Sequence, residues 1–248
     1  MTSQPIEPQC YANQKIGVLC LEVPPDRFPG SLSDPTIFPV PVLYETVEGA
    51  WVDDILASDS ALAQPAIDAA KKLERQGATF LISNCGFFIS YRSEVERHVS
   101  VPAAISSLLW LPHLNLMRSK AGKIGIVTYD ATKLSTAHLL AAWPSLDLDV
   151  VAVAGLEGTK TWSDAGLKDS VYDFDQIWTD LRAVLDRLVN EHPDVELILV
   201  ECVTLCAFVP LIRRHLGLPT YDIVALARCW LDGLDAGAAS YSGADLKP

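Results

Sequence analysis

Two stretches of this 248-residue chain repeat one spacing of distinctive residues, which restricts it to folds built from two copies of one unit. Asn84-Cys85 and Glu201-Cys202 each close an apolar run, 78–83 and 195–200. Twelve residues beyond each cysteine stands an Arg-His pair, Arg97-His98 and Arg214-His215, and seventeen beyond stands a proline, Pro102 and Pro219. Upstream, Lys15-Ile16-Gly17-Val18-Leu19 and Lys123-Ile124-Gly125-Ile126-Val127 open the two halves in the same way. The shared register holds without a gap from cysteine to proline.

Each opening strand leads to a helix and then to the run that ends on cysteine. The first helix is expected over 61–76, with Ser60 as its cap and Gly77 as its stop. The second is expected over 174–191, with Asp173 and Gln176 in capping-box spacing. Apolar, β-branched strands alternating with long helices predict an α/β fold, with a parallel sheet in each copy covered by helices on both faces. The first lobe is expected over 1–118, with 219–248 packing back to complete it, and the second over 119–218, the two splitting at the polar stretch 117–122. The proline-dense segment 24–41 reads either as part of a lid or as a surface loop.

Half of the residues are hydrophobic, enough for a sizeable core. No apolar run approaches the roughly 18 residues of a bilayer span, and the polar N-terminal stretch has no signal-like core, so a cytoplasmic protein is expected. A net charge of −12 argues against nucleic acid and anionic membranes as partners. It leaves room for a small-molecule carboxylate, which local backbone amides can bind against the overall field. Six cysteines with no signal segment are expected to be reduced, and the absence of a CxxC pair or a close Cys/His cluster predicts no metal site. Neither Gly17 nor Gly125 begins the GxGxxG turn of a dinucleotide site.

Cys85 and Cys202 therefore carry the functional expectation. Both follow the carboxyl end of a parallel strand, where open sheets bind ligands, and both precede helices expected to start near Phe87 and Val209, with Pro210 in the first turn of the latter. A helix N-terminus would lower a thiol's pKa. With pseudo-twofold packing of the lobes, the two thiols would face each other across a cleft. One thiolate would take a proton from carbon while the opposite thiol returns one, with no cofactor required. Turn amides would stabilise the charge developing on a substrate carboxylate. The bland reading is that each cysteine is core filler, which the matched register of both opposes. A cysteine-protease reading leaves the second cysteine unexplained. Cys206 lies four residues past the repeat position and reads as core, and Cys10, Cys20 and Cys229 read as structural. His98 and His215 read as helix-end residues, and His138 as a weak candidate for contact with the cleft.

At these residues the chain resembles the aspartate/glutamate racemase superfamily, which includes amino-acid and hydantoin racemases, maleate isomerase and arylmalonate decarboxylase. The resemblance runs through Ile16-Gly17-Val18, Ser83-Asn84-Cys85-Gly86-Phe87-Phe88, Val101-Pro102 with Ser106-Ser107-Leu108, Ile124-Gly125-Ile126-Val127-Thr128 and Glu201-Cys202-Val203-Thr204. The opening stretch from Pro24 to Ala50 is similar to a racemase-like branch related to the algal dimethylsulfoniopropionate lyases. The resemblance implies two similar Rossmann-like lobes related by a pseudo-twofold axis, an active site between them, catalytic Cys85 and Cys202, and no pyridoxal phosphate or other cofactor. It further implies that Ser83, Asn84, Ser106, Ser107, Thr128, Tyr129 and Thr204 bind a substrate carboxylate, that Glu22 either meets a substrate ammonium group or is solvated, and that a homodimer is compatible with the family. The chain departs from glutamate racemases: Leu19-Cys20-Leu21-Glu22 replaces their Asp-Ser pair, and Cys202-Val203-Thr204 replaces their Cys-Thr-His run. Cys20 also stands where the racemase-like branch often has arginine. The expectation is a cofactor-independent racemase or epimerase of an amino acid or related carboxylate, working by two-thiol proton transfer. The alternatives are a lyase using the same carbanion chemistry, of the dimethylsulfoniopropionate-lyase or decarboxylase kind, and a non-catalytic small-ligand binding protein.

Overall fold

Each run that ends on cysteine pairs in parallel with the opening strand of its own half, in two separate sheets of the computed structural model, which describes residues 11, 13–23, 28–165 and 172–234. The first lobe contains β1 (Ile16–Cys20), β2 (Val42–Thr46), α1 (Val52–Leu56), α2 (Ala63–Arg75), β3 (Phe80–Ser83), α3 (Arg92–Glu96) and α4 (Leu111–Met117). Its sheet has the order β2-β1-β3. The second contains β4 (Lys123–Thr128), α5 (Thr136–Ala142), β5 (Val151–Gly155), α6 (Lys160–Ala165), α7 (Phe174–Glu191), β6 (Val195–Val200), α8 (Val209–Leu216) and β7 (Thr220–Tyr221), in sheet order β5-β4-β6-β7, and is followed by α9 (Ile223–Asp232).

The sequence repeat is a repeat of hydrogen bonds. Asn84 donates its backbone N–H to Leu19 at 2.9 Å, and Glu201 donates to Val127 at 2.8 Å, which fixes both cysteine turns against the opening strand of their own lobe. The shared proline has an equally concrete role. Leu81 N–H donates to the Pro102 carbonyl and Ile198 N–H to the Pro219 carbonyl, both at 2.9 Å. Leu81 then bridges Ala103, as Ile198 pairs with Thr220 at the start of β7. A proline has no N–H to donate, so it suits the outer position of a sheet, where only its carbonyl is used.

The two opening glycines are needed for close packing. A Cβ on Gly17 would stand 2.7 Å from Leu81 and 3.1 Å from Leu73 of α2, and one on Gly125 would stand 2.9 Å from Leu188 of α7 and 3.0 Å from Ile198. Each lobe thus seats its long helix on a glycine in its central strand. Helix α7 has the expected bounds, and Asp173 caps it by accepting from Asp175 and Gln176 N–H groups. The Gln176 side chain turns to Asp180 at 3.0 Å. In the first lobe the expected cap is corrected. Asp59, not Ser60, accepts from Ala61 N–H, because a 3-10 turn at Ser60–Leu62 precedes α2 and shifts the entry by one residue; Gly77, at φ +90°, ends the helix region.

The lobes share one apolar core, in which Leu19, Leu81 and Ile105 of the first join Ile124, Ile126 and Leu199 of the second. Residues 118–122 join α4 to β4, with the Arg118 guanidinium donating to the Ser119, Lys120 and Gly122 carbonyls. After β7 the chain returns to the first lobe. Ile223, Val224, Ala227 and Leu231 of α9 pack on Ile16, Val18, Phe80 and Ile82, and Trp230 stacks on Phe80 with ring centroids 4.6 Å apart. Among the described residues, no helix is long and apolar enough to cross a membrane.

Candidate active site

The carboxyl ends of β1, β3 and β6 open into one cavity of about 680 Å³, and both repeat cysteines line it. Its outer wall comes from residues 28–35, with Phe28, Leu32 and Asp34 in the lining; residues 24–27 of the proline-dense segment lie outside the described residues. Phe28 anchors this wall to the second lobe by edge-on contacts with Phe174 at 5.3 Å and Phe208 at 6.1 Å. Val52, Ile55 and Leu56 of α1 close another side.

Cys85 and Cys202 each take the cap position of a 3-10 segment, Gly86–Tyr91 and Val203–Phe208, before the α-helices α3 and α8 begin. The expected α-helix at Phe87 therefore starts later, whereas the one at Val209 starts where expected, with Pro210 in its first turn. This matters for the thiol. Burial pushes the Cys85 thiol well above its ordinary pKa, the Glu201 carboxylate adds to the rise, and the Phe87 N–H offsets only part of it. At Cys85 the expected lowering is overturned, since desolvation and a neighbouring negative charge outweigh the amide of the turn. Cys202 adds a smaller contribution to the rise of Cys85.

The seven residues expected to bind a carboxylate divide into two groups. Asn84, Tyr129 and Thr204 line the cavity. Asn84 Oδ1 accepts from Leu21 N–H at 2.9 Å, and the Tyr129 hydroxyl donates to the Trp162 carbonyl at 2.7 Å. Ser83, Ser106, Ser107 and Thr128 are fully buried behind the lining. Ser83 Oγ lies 2.8 Å from the Cys85 carbonyl and 2.7 Å from that of Ile105, shaping the first thiol turn. Ser106 Oγ accepts from Leu108 N–H, and Ser107 Oγ donates across the lobes to the Val200 carbonyl at 2.9 Å. Thr128 Oγ1 donates to Glu201 Oε2 at 2.6 Å.

The other sequence candidates take mostly structural places. Cys206 is buried in the core, Cys229 is exposed on α9, and Cys10 lies outside the described residues. Cys20, read as structural, lines the cavity, and burial pushes its thiol up to about 12. His98 Nδ1 binds the Glu94 carbonyl at the end of α3, and His215 Nε2 binds Asp186 from the last turn of α8. His138 packs edge-on against Phe87, a cavity residue, with ring centroids 5.1 Å apart. Glu22 Oε1 accepts from Gly49 N–H.

The residue that sequence reasoning missed is Glu201, which entered only as the neighbour of Cys202. Its side chain is 1% exposed, yet it contributes to the cavity lining. Among the described residues, its Oε1 has no hydrogen-bond partner. Burial raises its pKa to about 7 against the lowering effect of Thr128. The available signal was its place, an acidic residue directly after the apolar run Leu197-Ile198-Leu199-Val200.

No family model matches the chain. It is 28% identical over 227 residues to a dimethylsulfoniopropionate lyase of Durusdinium sp. clade D, spanning 88% of this chain and 74% of that protein. It is 24% identical over 228 residues to dimethylsulfoniopropionate lyase 6 of Emiliania huxleyi (strain CCMP1516), spanning 88% of this chain and 59% of that protein. Among solved structures, allantoin racemase from Klebsiella pneumoniae superposes with a TM-score of 0.61 at 14% identity, covering 89% of this chain and 87% of the other. Glutamate racemase from Aquifex pyrophilus gives 0.56 at 15% identity (89% and 83%), and unliganded arylmalonate decarboxylase gives 0.56 at 17% (91% and 94%). The two parallel sheets form the two-lobed fold of the aspartate/glutamate racemase superfamily.

Proposed function

We propose that this chain is a cofactor-independent lyase that removes the α-proton of a β-sulfonium carboxylate of the dimethylsulfoniopropionate class and expels the sulfide. The observation that carries this reading is that Cys85 and Cys202, equivalent residues of the two lobes, line one cavity. One thiolate takes the α-proton: the C–H bond breaks and an S–H bond forms. The carbon electron pair becomes the new C=C bond, and the C–S bond breaks with its electrons leaving on sulfur. The products are dimethyl sulfide, acrylate and one proton.

The lining supports a substrate with a positive end. Phe28, Tyr44, Phe87, Tyr129 and Tyr172 line the cavity, and aromatic rings offer surfaces that attract a desolvated cation. Asp34 adds a negative charge, its carboxyl held below the usual range by hydrogen bonds from Gly30 N–H and from Thr36. A sulfonium group fits this wall, and a second substrate carboxylate would be repelled by it. Asn84, Thr204 and the amides of the two cysteine turns are the groups that would bind the carboxylate and stabilise the charge developing there. The similarity to proteins named as lyases supports elimination over reprotonation.

The racemase or epimerase reading shares the first step, and one feature favours it: a thiol in each lobe matches a return of the proton to the opposite face. The two outcomes separate in one experiment. Purified protein is given dimethylsulfoniopropionate, with dimethyl sulfide read by headspace gas chromatography and acrylate by proton NMR. In parallel, amino acids and hydantoins are incubated in D2O and resolved by chiral chromatography. Equal amounts of sulfide and acrylate are expected. Deuterated, inverted amino acid with no sulfide would replace the lyase by a racemase, and unchanged substrates that nonetheless bind tightly would leave a binding protein.

A further inference from the structure

Glu201 is a carboxyl group with one oxygen satisfied and one not, and the unsatisfied oxygen is turned toward the first thiol's turn. Thr128 holds Oε2 at 2.6 Å from β4. Oε1, with no hydrogen-bond partner among the described residues, lies 2.1 Å from the point where a Cβ on Gly86 would sit, directly after Cys85. A buried carboxylate left half-satisfied is expensive, and such a group on a residue that lines a cavity marks one whose partner changes during function. Among the described residues, the ionisable groups around it are Cys85 on the facing turn, Cys202 next in the chain, and Tyr129 at the end of β4, beside Cys202.

We propose that Glu201 is the proton partner of Cys85, its carboxylate accepting the thiol proton as the sulfur becomes the base. The proposal rests on the lyase reading for its chemical purpose. The step is a transfer within the pair: the S–H bond of Cys85 breaks, an O–H bond forms on Glu201, and one negative charge moves from oxygen to sulfur. The thiolate then takes the substrate α-proton and regenerates the thiol. Glu201 gives its proton to water when product leaves, which accounts for the proton released per turnover. A thiolate beside an ionised Glu201 would put two negative charges in one buried site; moving the proton keeps the count at one. A carboxyl whose pKa lies near 7 is suited to accept and release a proton at neutral pH, and the opposition of Glu201 to ionisation of Cys85 is the electrostatic trace of the pair.

The test reads Cys85 directly. Wild type, Glu201→Gln and Thr128→Val are alkylated with iodoacetamide from pH 5.5 to 9.5 (about two units either side of the pair's working range), and the Cys85 peptide is quantified by mass spectrometry. Replacing the carboxylate by a neutral amide is expected to make Cys85 alkylate faster at pH 8, by about tenfold for each unit its pKa falls. The same variant is expected to lose at least ~100-fold in kcat, since an easier thiolate without its proton acceptor is not a faster catalyst. Thr128→Val, which removes the hydrogen bond that lowers the Glu201 pKa, should move the acid limb of kcat/KM to higher pH while Glu201 remains in place. Identical Cys85 alkylation profiles in wild type and Glu201→Gln would overturn the pairing, as would turnover of that variant within about threefold of wild type. Should wild type release no dimethyl sulfide, the lyase reading fails, and the alkylation profiles still decide whether the pair exists.

Discussion

Glu201 and Gly86 belong to different lobes, and the carboxylate of one occupies the space that any side chain on the other would need. The would-be Cβ also stands 2.7 Å from the Glu201 carbonyl oxygen, a backbone atom with little freedom to move. The two thiol turns are thereby pressed together at a point where only glycine fits.

Gly86→Ala should therefore separate the turns. The expected cost is about 1–3 kcal/mol of overpacking, together with a fall in turnover larger than stability alone explains. Urea denaturation and steady-state kinetics read the two effects separately. A variant with wild-type stability and kinetics would mean that the lobes can part at no cost, and that the contact does not position the thiols.

The buried Glu201 carboxyl also sets a pH signature on stability. Its folded pKa of about 7 lies above the ordinary 4.5, so the folded state holds an extra proton between those values. Stability is then greatest below about pH 4.5 as far as this group is concerned, and it declines as pH rises to about 7, with a slope of at most about 1.4 kcal/mol per pH unit. Glu201→Gln should remove that decline and be relatively more stable than wild type at pH 8. Parallel stability curves for the two proteins would show that the carboxyl titrates as it does in water.

Much of the fold could be read from the sequence because it rests on nearest neighbours and on a repeat. Strand β6 and helix α7 have the expected bounds, since an apolar strand and a capped amphipathic helix are local patterns. The convergence of Cys85 and Cys202 on one cavity followed from their shared register. The state of those thiols did not follow, because it depends on Glu201 and on burial, and these become neighbours only when two lobes dock. For the same reason Ser83, Ser106, Ser107 and Thr128 could be located at strand ends, but their hydroxyls are committed to carbonyls and a carboxylate behind the cavity wall. Cys20 reads as structural because the repeat gives it no cysteine partner, yet β1 carries it into the cavity lining. The 3-10 segment after Cys85 takes the place of the helix start expected near Phe87, whereas the helix expected near Val209 begins there; no pattern distinguishes a tight turn of apolar residues from the start of an α-helix.

His138 ties the lobes together beside the cavity. Its Nδ1 accepts from Ser135 N–H at 3.0 Å, so the proton rests on Nε2, which meets Ser58 Oγ at 2.8 Å. Ser58 is the one described non-glycine residue with positive φ, at 53°, and it hydrogen-bonds Ser90 as well. His138→Ala should cost about 1–3 kcal/mol, by orphaning these partners and exposing the edge of Phe87. Burial lowers the imidazole pKa, so stability from this residue is present above the unfolded value of 6.5 and is lost as pH falls below it. The variant should be correspondingly less sensitive to acid than wild type. A melting temperature within about 1 °C of wild type would show that the bridge carries no stability.

The two-thiol chemistry stands or falls on dimethyl sulfide release by Cys85→Ala and Cys202→Ala, measured at saturating dimethylsulfoniopropionate, with folding checked by circular dichroism. Both variants are expected to keep the native spectrum and to lose at least ~1,000-fold in kcat. Either one working at close to the wild-type rate would contradict a reaction shared between the sulfurs of the two lobes.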